Sequence, residues 1–179
     1  MTLVSEEKKQ EIEKIIKWLT GKSLSEIATE NNIFYTETNL SDIAEWVSGL
    51  IIYNWKENRF WILIEQSDHP NRKRFTFAHE LWHFFLHSRL LKEKNKVFID
   101  TDNSYAFFRL SNINVKDEDK PLEAEANYFA AELLMPKNVI NDAYNKIGNI
   151  EILSMIFKVS KEAIENRLSN LGLIKKKNA

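Results

Sequence analysis

At 179 residues with a formal net charge of −1, the chain suits one domain with room for a small appended lobe, and its surface as a whole is not built for nucleic acid. A hydrophobic share of 44%, with five Trp and eleven Phe, is ample for a packed core and argues against disorder. No cysteine is present, which excludes disulfides and thiolate metal sites and leaves His and carboxylates as metal ligands.

The chain opens Met1-Thr-Leu-Val-Ser-Glu-Glu-Lys-Lys9, without the apolar stretch of a secretory signal, and no run approaches the roughly 18 apolar residues of a membrane span. A cytoplasmic protein is therefore expected. Ser5 ahead of Glu6 and Glu7 reads as a helix start, and Ile12, Ile15, Ile16 and Leu19 recur at helical spacing until Gly21. A second short helix follows Ser23 or Ser25. Its sequence suits half of a helix-turn-helix, but packing of small helices against a core is the better reading. Ser41 to Val47 is too short to type.

From Gly49 the pattern turns to strand: Leu50–Tyr53, a turn over 54–59, then Phe60–Ile64, together a hairpin. Residues 65–71 form a loop in which Asp68 or Asn71 is placed to cap a helix from about Arg72 to His87 or Ser88. That helix carries His79-Glu80-Leu81-Trp82-His83, an H-E-x-x-H pattern. Residues four apart on a helix differ by about 40° and about 6 Å of rise, so His79 and His83 share a face and can hold one cation. Glu80 stands beside that face, placed to take a proton from a metal-activated water. The flanking Phe75, Phe77, Ala78, Leu81, Trp82 and Phe84–Leu86 make the helix apolar almost all round, hence buried. Histidines inside such a helix need partners for their nitrogens, which a metal supplies to two at once.

Residues 96–100 and 105–110 read as short strands or extended loop, and 111–120 as a polar connection. Pro121 suits the first turn of a helix that continues to Met135 before Pro136. This helix carries Glu123 and Asn127 one turn apart, able to serve one place, and Glu125 about 200° away, toward solvent or a basic neighbour such as Lys120. Further helices run to about Lys146, over Ile150–Phe157, and from a Ser160 cap to Gly172. The last two have helix-turn-helix rhythm, and the final one offers Lys161, Asn166 and Arg167. It also offers Glu162 and Glu165, which phosphates would repel, so direct DNA binding is not expected. His87, about 12 Å along the helix from His79, is too far to share its metal and reads as a rim or core residue. His69 reads as structural or solvated.

Arg74-Phe-Thr-Phe-Ala-His-Glu-Leu-Trp-His83, followed by Glu123-Ala-Glu-Ala-Asn-Tyr-Phe-Ala-Ala-Glu-Leu-Leu-Met-Pro136, resembles the ImmA/IrrE family of metallo-endopeptidases. The resemblance implies His79 and His83 as zinc ligands, Glu123 as the third ligand, Glu80 as general base, and Asn127 as the residue that steadies a ligand histidine. It implies an α+β fold: a zincin-like core with a small twisted sheet packed on the H-E-x-x-H helix, plus N-terminal helices and a C-terminal helical lobe. The corresponding divisions are 1–48, 49–136 and 137–179. Zn2+ is the expected cofactor, other divalent transition metals being able to use the same donors. A protein substrate, typically a helix-turn-helix transcriptional repressor, is implied. Trp82 departs from the Gly that many members carry. The competing expectation is a regulator that uses its metal structurally and binds a partner or operator through the C-terminal lobe.

Overall fold

The computed structural model describes residues 4–40, 47–92, 96–101, 106–109 and 120–175. Ser5 accepts from the Lys8 N–H and starts α1 (Glu6–Leu19), which closes before Gly21 at φ 86°, a left-handed turn that glycine adopts without strain. Ser23 and Glu26 form a capping box at the start of α2 (Leu24–Glu30), satisfying two of the helix's open N–H groups reciprocally. The chain then enters a strand that the sequence reading passed over, β1 (Ile33–Thr38). β2 (Val47–Asn54) and β3 (Arg59–Glu65) form the expected antiparallel hairpin, β2 starting two residues before Gly49. Positions 41–46, left untyped from sequence, lie outside the described residues, as do 111–119 of the polar connection.

With β4 (Lys96–Thr101) and β5 (Ala106–Arg109), these strands make one mixed sheet in the order β1-β3-β2-β4-β5. β1 runs parallel to β3, and the other pairings are antiparallel. Between β2 and β4 the pairing steps from Val47↔Thr101 to Gly49↔Asp100, so two residues of β2 answer one of β4 and Ser48 is the bulged residue.

The motif helix is α3 (Pro70–Leu91), which starts two residues after Asp68 and one before Asn71, so neither of the proposed residues stands immediately ahead of it. Pro70 takes the first position, where no N–H is needed, and the imidazole of His69 accepts from the Asn71 N–H at 3.2 Å. Asp68 pairs instead with Arg72, and the Asn71 amide donates to Val159 O at 3.0 Å. Every residue from Thr76 to His83 is buried, as the apolar surround of the motif implied. Trp82 is fully buried and packs on Phe129 of α4 (Lys120–Leu134), with ring centroids 5.1 Å apart.

Three helices follow: α5 (Lys137–Ile147), α6 (Ile150–Phe157) and α7 (Lys161–Asn170), the last capped by Ser160 as expected. Their apolar faces share one cluster with Ala78 of α3 and with Ala130 and Leu134 of α4. Arg74 on α3 donates to Phe157 O at 2.8 Å, so with Asn71 it ties the α6–α7 turn to the start of the motif helix. Arg167, read from sequence as available to a phosphate, is instead buried, donating to Met135 O and pairing with Glu132. A buried cation without a partner is too unfavourable to persist, and here the carboxylate of α4 supplies one. The architecture is α+β, as the sequence suggested. No helix among the described residues is long and apolar enough to cross a membrane.

Candidate metal centre

The α3–α4 seam brings together three of the residues singled out by sequence. One ligand atom each from His79, His83 and Glu123 lies within 4.8 Å of the others, and all three residues are buried. The two Nε2 atoms are 3.0 Å apart, and Glu123 approaches them with Oε2 3.0 Å from His79 and Oε1 3.4 Å from His83. Asn127, one turn after Glu123, places Oδ1 3.2 Å from His79 Nδ1. Glu80 is fully buried beside them.

The chemistry of this donor set argues for a cation. An amide oxygen only accepts, so His79 donates its Nδ1–H to Asn127 and a neutral ring turns a lone pair outward at Nε2. That lone pair faces a second imidazole nitrogen and a carboxylate oxygen, an arrangement repulsive unless a proton or a metal cation lies between them, and a cation satisfies all three at once. Ligands at about 2.0–2.1 Å around a tetrahedral ion sit about 3.3–3.4 Å from one another, close to the separations found. Burial pushes the Glu123 carboxyl up, but His83 and His79 outweigh it and hold it down at about 2. Burial lowers the pKa of His83, with Glu123 opposing. Neutral imidazole and ionised carboxylate are the forms that bind metal.

Local structure explains why the seam closes here. Gly49 on β2 faces α3 so closely that a Cβ there would lie 2.3 Å from Thr76 Cγ2 and 3.4 Å from Glu80 Oε1. Only glycine permits this approach. The adjacent Ser48 accepts from Arg72 Nε at 2.9 Å and Nη2 at 2.6 Å, so the bulge is clamped to the first turns of α3. Gly49 thus lets β2 lie against the stretch of α3 that carries Thr76 and Glu80. The sequence signal for it was an isolated glycine inside an otherwise apolar strand, and the motif residues drew the reading away from it.

The remaining assignments divide. His87 is nearly buried and stacks on His83 with centroids 5.9 Å apart, outside the donor set. Burial, His83 and Lys8 push its pKa down to about 4. Glu125 does point away from the metal donors, but not to solvent. It is buried beside α1, where Lys8 and Glu11 influence it. The Trp82 ring packs on Phe129 of α4 and is fully buried, so its bulk fills core.

The chain is similar to known proteins over most of its length. The chain is 25% identical over 166 residues to Metallopeptidase ImmA of Bacillus subtilis (strain 168), spanning 92% of this chain and 85% of that protein. It superposes on a Mycobacterium tuberculosis transcriptional regulator with a TM-score of 0.58 at 18% identity, covering 93% of this chain and 48% of that one. The second likeness is one of fold, and the chain spans about half that regulator's length. Residues 44–169 match the IrrE N-terminal-like domain of the M78 peptidases, a span that contains the H-E-x-x-H helix, Glu123 and Asn127, and the chain therefore belongs to the ImmA/IrrE metallopeptidase family.

Proposed function

We propose that the chain is a zinc-dependent endopeptidase that cuts a regulatory protein in the cytoplasm, a helix-turn-helix repressor being the substrate the family resemblance favours. The observation that carries the reading is the convergence of His79 Nε2, His83 Nε2 and Glu123 on one buried point. Three protein ligands leave a tetrahedral ion one open position, whereas a structural zinc is closed by four. A metal held there by His79, His83 and Glu123 would acidify water and polarise the scissile carbonyl.

The chain's own groups supply the rest. Asn127 fixes the tautomer of His79 through the Nδ1–H bond. Glu80, fully buried beside His79, would receive the proton of the attacking water and return it to the departing amine. Seclusion in the α3–α4 seam strengthens each of these electrostatic effects.

The test is Glu80→Gln, which removes the proton acceptor and leaves the three ligands. The variant is expected to bind zinc within about threefold of wild type by dialysis, while peptidase activity falls by about a hundredfold or more. Cleavage at the wild-type rate would sink the base assignment. Loss of zinc together with activity would mean that Glu80 belongs to the ligand set. The non-catalytic regulator reading is weakened by Arg167, whose guanidinium is committed to Glu132 and Met135 O. A salt-sensitive footprint on operator DNA, removed by changing Lys161, would revive it.

A further inference from the structure

We propose that His87, although outside the donor set, is a positioning residue of the metal centre: its ring lies on the face of His83 and keeps that imidazole turned with Nε2 toward the ion. The inference rests on the metal-site reading above and concerns a buried residue to which that reading gives no task.

The two histidine ligands are steadied in different ways. His79 is fixed by a hydrogen bond, its Nδ1 standing 3.2 Å from Asn127 Oδ1, which sets tautomer and rotation together. His83 is held between rings. His79, from the turn before, meets it edge-on with centroids 4.8 Å apart and planes at 62°. His87, from the turn after, covers it nearly parallel, with centroids 5.9 Å apart and planes at 27°. The torsion about the Cβ–Cγ bond of an imidazole is broad and soft. A metal ligand needs that torsion fixed, so that its lone pair points at the ion before the ion arrives. An edge contact from one turn and a face contact from the next restrict it in both senses. The helix itself supplies the register, since residues four apart differ by only about 40°.

The residue type at 87 argues for a task beyond filling space. Residues 84–86 are Phe, Phe and Leu, and packing alone would be served at 87 by another such side chain, because burying an imidazole forfeits hydration. His87 is buried all the same. The groups whose charges reach it are His83 and Glu123, two of the three donors, and Lys8 of α1. An aliphatic chain of equal bulk would fill the space without presenting a plane to His83. Among flat rings, imidazole is the smallest, and its polar edge tolerates ionic neighbours.

The experiment compares two variants of the full chain with wild type. His87→Leu keeps bulk and removes the ring, whereas His87→Phe keeps a ring. Zinc affinity is measured by competition with a chromophoric chelator, and the metal-free proteins are melted to compare their folds. His87→Leu should bind zinc about tenfold more weakly than wild type, the usual effect of losing a group that orients a ligand, at an unchanged melting temperature. His87→Phe should return to within about threefold of wild type. A residue that only packs would not give this ranking. A direct reading of the ring comes from 15N-histidine NMR of the metal-free proteins: the His83 signals should be single and sharp in wild type and broadened by exchange in His87→Leu. Wild-type zinc affinity in His87→Leu overturns the proposal, and so does a loss in His87→Phe as large as that in His87→Leu. Exchange-broadened His83 signals in metal-free wild type overturn it as well, whether or not either variant folds. Wild type that binds no zinc would instead overturn the metal-site reading, and the proposal with it.

Discussion

Glu123 and Glu125 stand two residues apart on one helix, both buried, in opposite electrostatic settings. Glu123 meets two imidazole nitrogens, and its carboxyl is held at about 2 despite the burial that opposes this. Glu125 enters the α1–α4 seam, where burial raises its pKa, Lys8 lowers it, Glu11 raises it further, and its Oε2 has no protein hydrogen-bond partner among the described residues. The same residue type in the same helix is stabilised as an anion in one direction and penalised in the other. What separates them is the roughly 200° between alternate helical positions and what each direction faces. A buried carboxylate is therefore not by itself a site. It becomes one when the groups around it need its charge.

The comparison breaks most visibly on metal affinity. Glu123→Ala should weaken zinc binding by about a hundredfold or more, because it removes one of the three proposed ligands and leaves two lone pairs facing each other. Glu125→Ala should stay within about threefold of wild type. Equilibrium dialysis of both variants measures this, and the reverse ranking would move the third ligand to Glu125.

Gly49 tests whether the site depends on the close approach of α3 to β2. Gly49→Ala puts a methyl 2.3 Å from Thr76 Cγ2, an overpacking expected to destabilise the fold by about 1–3 kcal/mol. Thermal unfolding should show the loss. A companion Thr76→Ser, which removes the offending methyl, should recover part of it in the double variant. Equal stability of Gly49→Ala and wild type would mean that the strand yields without strain.

Asn127 sharpens the same comparison from the second side of His79. Asn127→Ala removes the acceptor at 3.2 Å from Nδ1 and frees the ring to take either tautomer, so zinc affinity should fall about tenfold. Unchanged affinity would show that packing alone fixes the ring.

Much of this was legible in the sequence, for identifiable reasons. H-E-x-x-H fixes its own geometry once the segment is helical, so the relation of His79 to His83 needed no tertiary knowledge. The Glu123–Asn127 spacing likewise survives any packing that keeps α4 a helix. β1 was missed because an edge strand buries only part of one face, and Ile33–Thr38 lacks a clean alternation. The Gly49 contact was illegible because it depends on which helix crosses the strand. The destination of Arg167 had the same obstacle: its partners, Glu132 and Met135 O, lie more than thirty residues away. Glu125 faces a basic neighbour, Lys8, but its burial was illegible because α1, far upstream in sequence, closes over the outer side of α4.

The smallest expected effect tests the other half of the comparison, the cost of burying Glu125. A carboxyl whose folded pKa is raised binds its proton more tightly in the native state than in the unfolded chain. Below the unfolded value, about 4.3, both states are protonated and the group contributes nothing through ionisation. As pH rises through that value and then through the raised native one, the unfolded state gives up its proton first, and stability falls by the full difference. Glu125→Gln does not titrate, so it should unfold at about 1–2 °C higher than wild type at pH 7, and the advantage should shrink toward zero near pH 4. The measurement is thermal unfolding of both proteins, metal-free, across that range. An advantage that persists at pH 4 would assign the gain to packing rather than charge. A variant less stable than wild type at pH 7 would mean that the attraction of Lys8 outweighs burial, and that the seam between α1 and α4 is held by an ion pair.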